Sequence, residues 1–333
     1  MSSDNAAPSR TDVVPRGEPS HLSEYYDLST FMGRLSYNWS FFSPLNLRFG
    51  SEALAEANET LRADSGASLE QRRQALVVRA ACAPAGEMLP MPFRSCGWAL
   101  GGTPTIAFMV YNALTYPKSL WRIFLGHGLN QTHLAGCTYC NRGSVGAAST
   151  SSIAKAYVIS VGLGTPIAYI AATAAMRWKL LRPLARFAPY PGVALANFVA
   201  CAAMRQDDLT DGIPVSAAAD GAASSPVSIG TSCAAGWAAV RDTAFTRLCM
   251  PIGNFLVVPS LLYLVQRWRG PSAVLGLGVA TQVGVTAAVF SLWLPFSASL
   301  FPPIGVLPVQ ALEAELRDTL DKDIRTVTYQ RGV

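Results

Sequence analysis

Between Lys155 and Arg177 the chain reads AYVISVGLGTPIAYIAATAAM, residues 156–176 without a single charged side chain. Wound as a helix, such a stretch matches the roughly 30 Å hydrocarbon core of a bilayer, which needs about 20 apolar residues to cross. One charge at the bilayer centre costs about 2.5 to 3.5 kcal/mol, so charged residues mark where a span must stop. Working outward, Arg94–Lys118, Arg186–Arg205, Arg247–Arg267 and Arg269–Glu313 bracket four further uncharged gaps. Phe301-Pro302-Pro303 ends the last helix, because proline neither donates to nor fits a helix interior. The spans predicted are about 95–117, 156–176, 187–204, 248–266 and 273–300. Five crossings set the two ends of the chain on opposite sides, and the denser Lys and Arg of the short loops lean towards an inner N-terminal side.

Composition agrees with this. Of 333 residues 14% are charged and 50% hydrophobic, against about 25% charged in an ordinary soluble domain. The net charge of +5 is spread without a basic block, so no nucleic-acid footprint is present. Seven scattered cysteines do not form the framework of a small secreted domain, and disulfides are not expected. The segment before Tyr25 lacks the apolar core of a signal peptide and the Arg-rich pattern of a transit peptide. The Asn-x-Ser/Thr matches at Asn38, Asn58 and Asn130 read as chance.

The fold class read from the sequence is an all-α integral membrane protein. Residues 1–24 form a disordered tail, too polar to bury a core. Residues 25–94 form an amphipathic, soluble helical region with a turn at Ser43-Pro44 and a helix starting at Ser68, where a hydroxyl can accept from free amides. Residues 95–302 form the membrane domain, with residues 206–245 outside the membrane as an irregular loop or small hairpin, signalled by Asp211-Gly212 and Asp220-Gly221. Leu312, Leu316 and Leu320 at helical spacing predict a short amphipathic helix within residues 303–333. No internal repeat is visible.

Residues 123–142 are apolar in part but carry His127, Asn130, Gln131, Tyr139, Asn141 and Arg142. Lipid does not accept such polarity, so this is a re-entrant or protein-buried helix. Amides both donate and accept, and an arginine pairs with a carboxylate as a fork, which suits a small zwitterion. A buried network gluing helices together explains the same residues equally well. Asn197, in the gap before Arg205, is either interhelical glue or a pathway residue. Cys137 and Cys140 with His133 could hold a soft metal, but a second ligand pair is missing and no metal or other cofactor is expected. His127 and His133, six apart, lie on different helix faces. Arg94 reads as a residue reaching for the membrane interface. No phosphate-binding loop, nucleophile elbow or dinucleotide fingerprint occurs, and no catalytic residue is proposed.

Several landmarks fall in one order over some 300 residues. They are Gly33-Arg34, Met91-Pro92-Phe93-Arg94, Leu129-Asn130-Gln131-Thr132 through Tyr139 and Asn141-Arg142, and Arg186-Phe187 with Pro189. Ala196-Asn197, Met204-Arg205, Gly212-Ile213-Pro214-Val215, Thr246-Arg247, Leu300-Phe301-Pro302 and Tyr329-Gln330-Arg331-Gly332-Val333 follow. In this order the chain resembles the sideroflexins. The resemblance implies a multi-pass protein of the mitochondrial inner membrane that carries serine or another small neutral amino acid, with membrane lipid around it. It further implies Asn130, Gln131, Tyr139, Asn141, Arg142 and Asn197 as substrate-binding residues. Other members are tied to iron handling or respiratory-complex assembly, so the alternative is a scaffold or accessory subunit contacting a respiratory complex or a second copy. The chain departs from the family at Cys82-Ala83-Pro84-Ala85-Gly86-Glu87, where the family has His-Pro-Asp-Thr-Gly-Glu, and at Leu134 and Thr138, where it has asparagines.

Overall fold

The computed structural model describes residues 21–62, 66–141, 149–217, 228–269, 279–320 and 324–331. The tail read as disordered, residues 1–24, lies outside them up to residue 20. Local chemistry sets the first helices. α1 (Phe31–Phe42) begins where the Thr30 hydroxyl accepts from the Gly33 amide, and Pro44–Arg48 turns as a 3-10 helix. After α2 (Ser51–Thr60), α3 (Leu69–Cys82) opens on a reciprocal cap between Ser68 and Gln71, which satisfies two otherwise free amides. Arg94 does not reach for an interface. It is 7% exposed and clamps this region, its Nε donating to Leu89 O at 2.7 Å and its Nη1 to Phe49 O at 3.0 Å.

The body is mostly helical, with α4 (Trp98–Thr115), α5 (Leu120–Asn141), α6 (Thr150–Arg177), α7 (Pro189–Met204) and the short α8 (Gln206–Thr210). A 3-10 run, Lys179–Phe187, leads into α7. α9 (Cys233–Cys249) continues through a π-helical turn at Gly253–Val257 into α10 (Val258–Arg269), and α11 (Val279–Ala298) follows. Among the described residues, three helices are long and apolar enough to cross a membrane: Thr150–Arg177, Cys233–Val265 and Ala280–Ala298. The run Lys179–Phe187 with Pro189–Met204, bent by 48°, makes a fourth if the pair is one span. The chain is a multi-pass membrane protein by this measure. Pro104, Pro166 and Pro295 sit inside α4, α6 and α11, where neighbouring helices can make good the lost backbone bond. α5 buries His127, Asn130 and Gln131 against protein.

Two stretches differ from the helical reading. α9 starts at Cys233, inside residues 206–245 read as a loop, because Ser232 caps it by accepting from Ala235 N at 3.1 Å and its charges pair locally, Arg241 with Asp242 at 2.8 Å. The span read as 248–266 is therefore the second half of a longer helix. Residues 303–333 hold the expected short helix, at Ala314–Asp318, but set it between two strands that the all-α reading lacks: β3 (Ile304–Pro308) and β4 (Thr326–Gln330). In β4 the alternation of Thr326, Val327, Thr328 and Tyr329 buries Val327 and Tyr329 and follows the two-residue period of a strand. With β1 (Ile213–Ala217) and β2 (Ser228–Ser232) these form one antiparallel sheet in the order β2-β1-β4-β3, absent from the all-α reading. β1 and β2 are the hairpin signalled by Asp211-Gly212; Asp220-Gly221 lies outside the described residues. The sheet packs Val215, Val327 and Leu312 on Ala235 and Ala239 of α9.

Hydrogen bonds gather both ends of the described chain at one end of the helical body. Arg34 Nε donates to Ser299 O after α11 (2.9 Å), and Asn38 Nδ2 to Ser299 Oγ (3.0 Å). At the close of α7, Arg205 Nη1 donates to Arg331 O (2.7 Å). Asn141 Nδ2, closing α5, donates to Phe93 O beside the start of α4 (2.6 Å). This arrangement differs from the opposite-side ends that five crossings imply.

Candidate functional site

α5, α6 and α7 each turn one stripe of side chains towards a common cleft. On α5 the stripe is Gln131, Leu134, Ala135 and Thr138; on α6 it is Ile153, Ala156, Tyr157 and Ser160; on α7 it is Asn197, Ala200, Cys201 and Met204. The recurring spacing of three and four residues puts each set on one helix face. Alanines at 156 and 200 hold the walls close together while the longer polar side chains reach inward. A cavity of about 40 Å³ lies between these atoms and opens to the surface.

Gln131 and Asn197 meet directly, Gln131 Nε2 donating to Asn197 Oδ1 at 3.0 Å. That bond fixes the orientation of both amides and leaves the Gln131 oxygen and the Asn197 nitrogen available to a ligand. Gln131 is buried and Asn197 half-buried. The fourth wall comes from α9, which contributes Arg247. Its guanidinium is half-buried on the helical span Cys233–Val265 and makes no ion pair or hydrogen bond among the described residues. Among the described residues no Asp or Glu lines the cleft.

The remaining residues expected to bind substrate stand elsewhere. Asn130 is buried, but one residue before Gln131 it faces about 100° away and does not line the cleft. Tyr139 is 49% exposed and outside the cleft. Asn141 is a bracket: besides Phe93 O it donates to Cys137 O (2.8 Å) and accepts from Ser95 Oγ (3.0 Å). Arg142 lies outside the described residues. His133 Nε2 sits 3.0 Å from Pro92 O and 3.6 Å from Cys137 Sγ. Among the described residues no three of His, Cys, Asp and Glu converge as metal ligands.

Two departures noted in the sequence land in different places. Leu134 and Thr138 line the cleft itself. Cys82 does not: it is buried beside Cys96, sulfur to sulfur 3.8 Å, and 3.6 Å from Asn46 O. The hydrogen bond with Cys96 and the charge of Arg94 outweigh burial and lower the Cys82 thiol below its ordinary value. Sequence reasoning missed Arg247, Tyr157 and Ser160. In the sequence Arg247 bounds an uncharged gap and forms part of the Thr246-Arg247 landmark; a cation on a helix long enough to span a membrane is itself a signal of a pathway.

A multi-pass helical protein in which the Gln131 and Asn197 amides and Arg247, unpaired among the described residues, converge on a cleft between helices is a membrane protein built around a polar interior site. The family model for sideroflexins matches residues 21–333, and the chain belongs to that family. It is 27% identical to sideroflexin-5 of Homo sapiens over 324 residues, covering 92% of this chain and 91% of the relative. It is 24% identical to sideroflexin-1 of Bos taurus over 323 residues, covering 92% and 95%, and 25% identical to sideroflexin-2 of Drosophila melanogaster over 311 residues, covering 89% and 91%. No solved structure matches the chain.

Proposed function

We propose that this protein carries small neutral amino acids, serine first among them, across the mitochondrial inner membrane, with no nucleotide hydrolysis and no covalent step. The observation that carries the reading is Arg247, a cation without a partner among the described residues, facing the paired amides of Gln131 and Asn197. A guanidinium takes a carboxylate as a two-point fork. The Gln131 oxygen and the hydroxyls of Thr138, Tyr157 and Ser160 then serve the ammonium and a short polar side chain. With no acidic residue in the cleft, a net positive substrate finds no counter-charge, and a second carboxylate finds no second cation.

In this reading α6, the bent run into α7, α9 with α10, and α11 cross the bilayer. The expected fifth span, about 95–117, is α4, which forms a hairpin with the polar α5 and so brings Gln131 to the cleft. Family resemblance, not geometry, supports serine and the mitochondrial inner membrane.

Uptake of labelled serine into proteoliposomes tests this. Saturable uptake should compete with alanine and glycine and resist citrate. Arg247→Gln and Gln131→Ala should each reduce it at least about tenfold, the factor that 1.4 kcal/mol of lost binding produces, while the variants still insert and fold. Absence of uptake by folded, inserted wild-type protein would overturn the carrier reading in favour of a scaffold, and stable comigration with a respiratory complex on native gels would then identify its partner.

A further inference from the structure

A second cavity lies further along the same helices. Its walls come from α4 (Met109, Asn112), α5 (Arg122, His127) and α6 (Ala168, Ala172), closed by residues 185–189 ahead of α7. On α5, His127 and Gln131 are one turn apart on one face, so the two spaces occupy successive stretches of a single groove. α6 runs the other way, with Ser160 at the first space and Ala168 at the second.

The second cavity contains polar groups with nothing to bind. His127 is 1% exposed, and neither Nδ1 nor Nε2 has a partner among the described residues. Asn112 is 3% exposed, and its Nδ2 has none. Leaving a buried donor or acceptor unmade is expensive, and such groups in a cavity normally meet water or a ligand. Arg122 completes the set. Its Nη1 donates to Asn112 Oδ1 at 3.3 Å, which leaves the Asn112 amine free, and its guanidinium stands 3.9 Å over the Tyr116 ring. No carboxylate lines the space, and the other walls are alanine, proline, methionine and isoleucine.

We propose that Asn112, Arg122 and His127 form a second binding site, for the carboxylate of a small molecule with a short apolar body. Arg122 supplies the charge, the Asn112 amine and a His127 N–H supply directed donors, and the apolar wall takes the remainder. The proposal deepens the carrier reading and rests on it only for the source of the carboxylate: a transported amino acid held at the far end of the groove, or a separate short monocarboxylate.

Nuclear magnetic resonance of the full chain in lipid nanodiscs with ¹⁵N-histidine reads the site directly, because the chain has only 3 histidines. Propionate and L-serine are the probes, titrated at constant ionic strength, with His127 assigned from a His127→Gln variant. The His127 ring signals should shift saturably with propionate. The half-saturation point should rise about tenfold in Arg122→Gln, the equivalent of about 1.4 kcal/mol, and stay unchanged in Arg247→Gln. A shift with both probes supports the site with the amino acid as source, and a shift with propionate alone supports it with a monocarboxylate. His127 signals that neither probe moves in the wild-type protein would overturn the proposal without reference to any variant. A response abolished by Arg247→Gln and indifferent to Arg122→Gln would overturn it too. Serine uptake failing while the His127 shift survives separates failure of the carrier reading from failure of this one.

Discussion

Leu134 and Thr138 show how one side chain decides what a shared fold accepts. Both line the cleft at positions where the family resemblance leads one to expect asparagine. On the carrier reading, a leucine there offers apolar surface and no donor, so it gives a substrate hydroxyl on the α5 side nothing to bind. Leu134→Asn should move the ratio of serine to alanine uptake towards serine by about tenfold, since one directed hydrogen bond in a water-poor site contributes about 1 to 1.5 kcal/mol. Competition of the two amino acids in one proteoliposome preparation measures it; an unchanged ratio would separate Leu134 from selectivity. Asn141 teaches the reverse. Its residue type suits a ligand, yet all its described bonds go to its own chain, and no sequence feature distinguishes that bracket from a binding amide.

At the scale of elements, α6 and α7 depend on what is missing. A Cβ on Gly192 would stand 2.5 Å from Gly164 O and 2.9 Å from Ala168 Cβ; one on Gly164 would stand 2.7 Å from His127 Nδ1. Backbone cannot yield as a flexible side chain can. Gly192→Ala should destabilise the protein by about 1 to 3 kcal/mol through overpacking, read as a lower melting temperature in detergent, whereas Gly162→Ala, with open space around it, should leave it unchanged. Helices of this kind were readable from uncharged gaps because lipid penalises every charge. The start of α3 was readable because Ser68 and Gln71 are capping residues. The beginning of α9 was not, since Arg241, Asp242 and Arg247 interrupt its apolar run, and only the fold shows that one pair is satisfied locally and the third faces a cleft. β3 and β4 escaped because five-residue strands give little period to count, and the leucines at 312, 316 and 320 signal only the short helix Ala314–Asp318 between them. Gln131 and Asn197 were legible as polar residues in apolar company. That they meet, and that Arg247 joins them, depends on helix packing that no local pattern encodes.

For the whole molecule, the bonds from Arg34 to Ser299 and from Arg205 to Arg331 bring the N-terminal helices, the sheet and the last residues to one end of the body. In a membrane this implies an even number of crossings. Single cysteines for labelling, introduced at Ser51 and Thr319 in a background without native thiols, should both react with an impermeant maleimide from the same side of sealed vesicles. Labelling of the two from opposite sides would restore an odd count and break the hairpin reading of α4 and α5.

The order of the sheet adds a constraint in time. β4 pairs with β1 on one side and β3 on the other, yet it is the last of the four strands in the chain. During synthesis β1 and β2 emerge early, and β3 only after α11, so the hairpin must wait with an open edge while the later helices enter the bilayer. Only the arrival of Thr326–Gln330 closes it. A chain that stops before that strand would leave the β1 and β3 edges unpaired on an otherwise inserted protein, edges that the complete chain covers.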